Sequence, residues 1–208
     1  MTRRDKGRKA LRAPFAADGP FVIVVAGPNG AGKSTFVDEY IRPSRLRIIN
    51  PDEIARGLAP LAPASVAYEA ADVADALRER LVGAGSSFCM ETVFSDPAGA
   101  KIAFLKRAQA AGYAVLLVFI GLDSPELSAA RVAQRVEEGG HDIPDEKLAA
   151  RYPRTLANLS AALDLADHLL LLDNSSADQP YRFVAEFTRG VLQRKARRLP
   201  GWAKGVIG

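Results

Sequence analysis

The sequence predicts an α/β fold built on a mainly parallel sheet, and three observations carry that reading. Short apolar runs recur at residues 21–26, 46–50, 87–90, 114–120 and 168–172, the length and composition of strands buried on both faces. Between them, apolar residues return every third or fourth position, as on the buried side of an amphipathic helix; strand and helix therefore alternate along the chain. The third observation is the exit of the first strand. Residues 27–34 read G-P-N-G-A-G-K-S, a full match to the phosphate-loop pattern G-x-x-x-x-G-K-[ST]. Its glycines let backbone N–H groups curl around a phosphate, its lysine reaches the terminal phosphates, and its hydroxyl suits magnesium. The expectation is a P-loop NTPase fold: a doubly wound, mainly parallel five-stranded sheet with helices on both faces.

Each element follows in order. Residues 33–40 have helical composition after the first strand, so a bound anion sits at a helix N-terminus, and Pro43 ends that helix. The nucleotide-binding set is then Gly27, Pro28, Asn29, Gly30, Ala31, Gly32, Lys33, Ser34 and Thr35, with Ser34 as the metal ligand. The second strand leads into Asn50-Pro51-Asp52-Glu53, which puts Asp52 at the strand-to-helix edge where open α/β sheets gather ligands. An N-cap is the alternative use of that aspartate. Val66, Ala70, Val73, Leu77 and Leu81 step along one face of a long helix that stops at Gly83 and Gly85. The third strand exits through Glu91-Thr92-Val93-Phe94-Ser95, on the same sheet edge; Thr92 and Ser95 can face a substrate or cap a helix opened by Pro97.

Residues 97–111 read as helix and 114–120 as the next strand, which ends near Asp123, either a second metal ligand or a helix start. Residues 125–138 then place Arg131 and Arg135 four apart on one helical face. A Gly139-Gly140-His141 turn separates them from Arg151 and Arg154, and Pro153 disturbs the second helix, so those two need not share a face. Four arginines around a glycine hinge predict a helical lid over about residues 125–155 that clamps a transferring phosphate. After the fifth strand, residues 173–176 are placed to edge the nucleotide base. Residues 181–187 suggest a short strand or helix, residues 191–199 a basic helix, and residues 200–208 a loose end.

Bulk properties bound the rest. The 208 residues fit one α/β domain, read as a basic arm at 1–19, a kinase-sized domain at 20–188 and a basic tail at 189–208. The net charge of +4 resides in the ends: they hold twelve of the 28 Lys/Arg and two of the 24 Asp/Glu, leaving the middle at −6. An acidic body argues against a duplex-binding face, and no apolar run approaches the length of a membrane span, so a cytoplasmic protein is expected. One cysteine, Cys89, and two histidines exclude an internal disulfide and a zinc cluster.

A phosphate loop alone does not choose among motor, switch and kinase. No strand ends in the Asp-Glu pair of hydrolytic motors, whereas carboxylates after the second and third strands and a late arginine set suit a small-molecule kinase. On that reading Asp52 accepts a hydroxyl proton while Lys33 and the arginines neutralise the moving phosphoryl group.

GPNGAGKST, NPDEIA, ETVFS and RVAQRVEEGGHDIPDEKLAARYPRTLANL together, over residues 21–174, resemble the zeta-toxin family of P-loop kinases in its compact chromosomal branch. The resemblance implies ATP (GTP as the alternative) with Mg²⁺, and phosphorylation of UDP-N-acetylglucosamine at a sugar hydroxyl. It implies Lys33 and Ser34 at the ATP and magnesium positions, Asp52 as base, Glu91 beside Thr92 at the sugar nucleotide, and Arg135 and Arg151 as clamps that Arg131 or Arg154 can replace. It also implies a helical antitoxin partner. The alternatives are a kinase for another small acceptor (nucleoside, nucleotide or antibiotic) and a non-enzymatic, NTP-dependent nucleic-acid binder.

Overall fold

Strand composition is explained by where the strands lie. The computed structural model describes residues 19–137 and 143–207, and the seven strands among them form one sheet. These are β1 (Phe21–Ala26), β2 (Arg47–Ile49), β3 (Phe88–Thr92), β4 (Ala114–Gly121), β5 (His168–Asp173), β6 (Arg182–Thr188) and β7 (Val191–Lys195), in the order β2-β3-β1-β4-β5-β6-β7. The first five run parallel, with Val22 through Ala26 fully buried between β3 and β4. β6 and β7 add an antiparallel hairpin at the β5 edge, so the expected five-stranded sheet is corrected to seven strands and is mixed.

Helices cover both faces: α1 (Lys33–Phe36), prolonged by a π turn at Val37–Ile41, α2 (Pro51–Leu58), α3 (Ala67–Gly83), α4 (Ala100–Ala110), α5 (Pro125–Glu137), α6 (Asp145–Ala162) and α7 (Gly201–Ile207). One core gathers Ala74, Leu81, Phe104, Leu105, Leu159 and Trp202 against the sheet; the other gathers Phe36, Val37, Ile41, Tyr152 and Leu172 on the opposite face. Because parallel strands share a direction, the loops after β1, β2 and β3 emerge at one edge.

Several local expectations are revised. Asn50, not Asp52, caps α2: its Oδ1 accepts from the Asp52 N–H at 2.9 Å, with Pro51 at the first helical position. Pro97 does not open a helix; α4 begins at Ala100, after Gly99 in the left-handed region. Pro153 lies inside α6 without ending it, because Tyr152 and Thr155 on either side are tied to the body through Leu122 O and Val93 O. Residues 191–199, read as a basic helix, hold strand β7, and the end read as loose holds α7 with Trp202 buried. The basic arm at 1–18 and the Gly139-Gly140-His141 turn lie outside the described residues.

Candidate active site

The phosphate loop leaves β1 at Gly27 and enters α1 at Lys33. Gly32 adopts φ 82°, and a Cβ there would stand 2.7 Å from Asn174 Nδ2, so only glycine fits the turn without displacing its support. That support comes from the segment between β5 and β6. Asn174, just past β5, donates to Ala31 O at 2.9 Å, and Tyr181 Oη donates to Gly32 O at 2.9 Å. From the other side Ser128 of α5 donates to Asn29 O at 2.7 Å. The loop is therefore braced by segments roughly 100 and 145 residues away in sequence, and within residues 173–176 it is Asn174 that serves as the buttress.

Behind the loop stands Glu91. β3 pairs with β1 in a register that sets Glu91 beside Val25, so its carboxylate reaches the start of α1. Oε1 accepts from Ser34 Oγ at 2.9 Å and Oε2 from Asn50 Nδ2 at 2.8 Å. Asn50 cannot turn its amide over without losing the Asp52 N–H, so four residues from three loops lock together. Lys33, nearly buried, donates from Nζ to Pro28 O at 2.9 Å.

The charges of this region feel one another. Burial lowers the Lys33 pKa below its ordinary value; the Glu91 and Asp52 carboxylates pull it back up, and the Arg135 and Arg151 guanidinium groups add to the lowering. Burial raises the Glu91 pKa, against the opposing effects of Lys33 and of the Ser34 hydroxyl, while Asp52 and Glu53 raise it further.

Asn29, Gly30, Gly32, Lys33, Ser34 and Thr35 line a cleft of about 310 Å³ together with Asp52, Glu91, Thr92, Arg131 and Arg135. A wider cavity of about 650 Å³ adjoins it, lined again by Asp52, Thr92 and Arg135 and also by Arg151 and Arg154. Arg151 and Arg154, which Pro153 left free not to share a face, thus line the same cavity. Pro28 and Ala31 lie beneath the loop and act through their carbonyls, and Gly27 makes the turn out of β1. Thr92 Oγ1 accepts from the Phe94 N–H at 3.0 Å, holding the β3 exit. Asp123, weighed as a second metal ligand, is exposed and accepts from the Gly201 N–H at the start of α7. Sequence reasoning passed over Asn50, Ser128, Arg78 and Lys101; the Asn-Pro-Asp string held the signal for Asn50, since asparagine before Pro51 is a strong cap.

Residues 22–154 match the protein family AAA_33, an AAA domain. The chain belongs to that family. The match covers the loop, β3, α5 and the part of α6 up to Arg154, and ends before β5 and the β6–β7 hairpin. An uncharacterized protein of Haemophilus influenzae is 31% identical over 130 residues, 62% of this chain and 91% of that one. Among solved structures, the PezAT chromosomal toxin-antitoxin system of Streptococcus pneumoniae superposes with a TM-score of 0.62 at 18% identity, over 89% of this chain and 82% of that one. The AvrRxo1-ORF1:-ORF2 complex with ATP gives 0.63 at 20% identity, over 91% of this chain; this chain spans 66% of the length of the one it matches there. At these identities the likeness is one of fold, and it is the P-loop NTPase fold that the sequence predicts. Among the described residues, no helix is long and apolar enough to cross a membrane.

Proposed function

We propose that the protein is an ATP-dependent phosphotransferase acting on a hydroxyl of a small acceptor, with a UDP-amino sugar such as UDP-N-acetylglucosamine as the first acceptor to try. One observation carries the reading: a phosphate loop, a carboxylate outside its bracing network and the guanidinium groups of two helices share one pair of adjoining cavities. The solved complex of similar fold that contains ATP supports the donor, and the toxin-antitoxin system of similar fold supports a partner protein as a further arm of the proposal.

The residues divide the work by position. The loop N–H groups and Lys33 would hold the β- and γ-phosphates, Lys33 exchanging its bond to Pro28 O for phosphate oxygen. Asp52, exposed into both cavities and free of the Glu91 network except through its backbone N–H, would accept the acceptor's proton. The acceptor oxygen then bonds to γ-phosphorus as the bond to the β-phosphate oxygen breaks, and ADP leaves. Arg135 and Arg151, with Arg131 and Arg154 beside them, would neutralise the transferring group. Among the described residues no three His, Cys, Asp or Glu side chains gather as a metal cage. That suits magnesium, which keeps most of its water and leans on substrate phosphates. Ser34 Oγ would hold it, with Glu91 2.9 Å behind as an acceptor for its water, and its role is to neutralise charge on the β- and γ-oxygens.

The test is mass spectrometry after incubation with ATP and Mg²⁺ and a panel of UDP-sugars, nucleosides, nucleotides, aminoglycosides and oligonucleotides. A gain of about 80 Da on a UDP-sugar, the mass of a phosphoryl group, supports the first acceptor, and the same gain on another small molecule keeps the kinase while replacing its substrate. ATP binding with no transfer to any hydroxyl compound, alongside salt-sensitive oligonucleotide binding, would overturn the kinase in favour of a nucleic-acid binder.

A further inference from the structure

The small cleft is also lined by Arg78 on α3, a residue no sequence motif marks. It occupies a core position on the helix, in line with buried Ala70, Ala74 and Leu81, and its side chain is 2% exposed. Its guanidinium lies 5.9 Å over the ring of Phe104 and pairs through Nη2 with Asp75. Its Nη1 is buried and has no hydrogen-bond partner. Beside it Lys101 of α4, which lines both cavities, donates to the same Asp75 oxygen at 2.8 Å. Two cations share one carboxylate, and that carboxylate is 54% exposed.

A buried guanidinium N–H without an acceptor is costly, and proteins rarely leave one unless something else supplies the oxygen. Burial pushes the Arg78 pKa down to about 10, so the group is still charged at neutral pH. Lys101 is likewise lowered by burial and by Arg78, with Asp96 acting against them. Asp96 is the other nearby acid. Its Oδ2 accepts from the Lys101 backbone N–H at 3.4 Å, and its Oδ1 is buried without a partner. The nucleotide side of the cleft already has Lys33 and the loop, so an incoming γ-phosphate does not need this pair. Lys101 and Asp52 line the same two cavities, so an acceptor lodged there can meet both.

We infer that Arg78 and Lys101 form a second anion-binding subsite, which holds an oxyanion group of the acceptor, so that the compound phosphorylated is itself a phosphate ester or a carboxylic acid. The inference rests on the kinase reading above and adds to it the charge of the substrate and the residues that select it. A guanidinium edge with an ammonium at its side fits an oxyanion's two or three oxygens, and anchoring the acceptor there leaves its hydroxyl free to meet Asp52.

The subsite can be tested without knowing the acceptor. Pyrophosphate and malonate are titrated calorimetrically into protein saturated with Mg²⁺ and a non-hydrolysable ATP analogue, so the phosphate loop is filled. The wild type should bind one equivalent, more weakly as salt rises, with tighter pyrophosphate marking a phosphate ester and tighter malonate a carboxylic acid. Lys101→Ala should weaken that binding about tenfold or more, the loss of one charged hydrogen bond. Asp75→Asn should strengthen it by releasing both cations, an effect a merely structural ion pair does not give. Arg78→Lys, checked for folding by near-ultraviolet circular dichroism, should weaken it as well. Equal affinity in wild type, Lys101→Ala and Asp75→Asn would overturn the subsite. Failure of the analogue to bind the wild type would instead defeat the nucleotide reading, and repeating the comparison in a Lys33→Met background would still decide the subsite.

Discussion

The two walls of the cleft are built on opposite principles. On the nucleotide wall most polar groups already have a protein partner, Lys33 on Pro28, Ser34 and Asn50 on Glu91, Asn174 on Ala31, Ser128 on Asn29, with the buried Asn29 Oδ1 as an exception. On the facing wall Asp52 is exposed, and Arg78 keeps a buried donor without an acceptor. The first wall is a preformed mould in which Lys33 exchanges one partner for another on binding, and the second completes its hydrogen bonding only when a ligand brings oxygen atoms. A site so divided should respond differently to substitution on each side: changes to the facing wall should cost rate, and changes to the mould should cost stability and nucleotide affinity together.

The largest expected effect is on the facing wall. Asp52→Asn keeps the side chain's size and the cap made by Asn50, so ATP affinity should stay within a few-fold while transfer falls by about 10² to 10⁴. Unchanged turnover would remove Asp52 from the chemistry. Arg135→Ala should be next, lowering turnover by about 10² to 10³ with little change in ATP affinity, as for loss of one group that stabilises transition-state charge. An equal loss in ATP affinity would move Arg135 to the nucleotide wall and blur the contrast.

Asn174→Ala probes the mould. It removes the amide that meets Ala31 O, leaving that carbonyl without its partner, and should destabilise the fold by about 1–3 kcal/mol in a denaturant melt while weakening ATP. Stability loss with ATP affinity untouched would show that the loop holds its shape without the brace.

How much of this was written in the sequence follows from how each piece is stabilised. β1, β4 and β5 are buried on both faces, and such strands have no choice but apolar residues, so they were legible. The loop announces itself because its residues must bind phosphate in order. The β6–β7 hairpin has no such signature. All five β7 residues are exposed, and V-L-Q-R-K has the composition of a basic helix. What makes it a strand is pairing with β6, an Arg194–Glu186 ion pair across the strands, and a turn at Arg189-Gly190 with positive φ at both residues. Likewise Trp202 reads as part of a loose end until Gly121, whose missing side chain leaves room for the indole, and Asp173, which accepts its N–H at 3.1 Å, are brought to it. Arg78 hid for the opposite reason: a charge at a core position looks like a solvent charge until Phe104 and Asp75 are seen around it.

The smallest expected effect is the most specific to the mould, because it comes from the proton on Glu91. Folding raises this carboxyl's pKa, mainly by burial, so the native state holds the proton at pH values where the unfolded chain has released it. The unfolded state then binds fewer protons, and by linkage Glu91's contribution to stability must fall as pH rises from its ordinary range near 4.5 up to its raised folded value. Glu91→Gln abolishes the titration. Its amide can keep both contacts, the oxygen accepting from Asn50 Nδ2 and the N–H₂ donating to Ser34 Oγ, whose hydroxyl accepts as readily as it donates. The stability of the wild type relative to Glu91→Gln, followed by urea denaturation, should therefore fall as the pH is raised through this window. A relative stability that rises with pH would mean that Lys33 and the Ser34 hydroxyl outweigh burial and hold Glu91 ionised; the nucleotide wall would then carry a standing ion pair, and its charge balance would resemble that of the wall across the cleft.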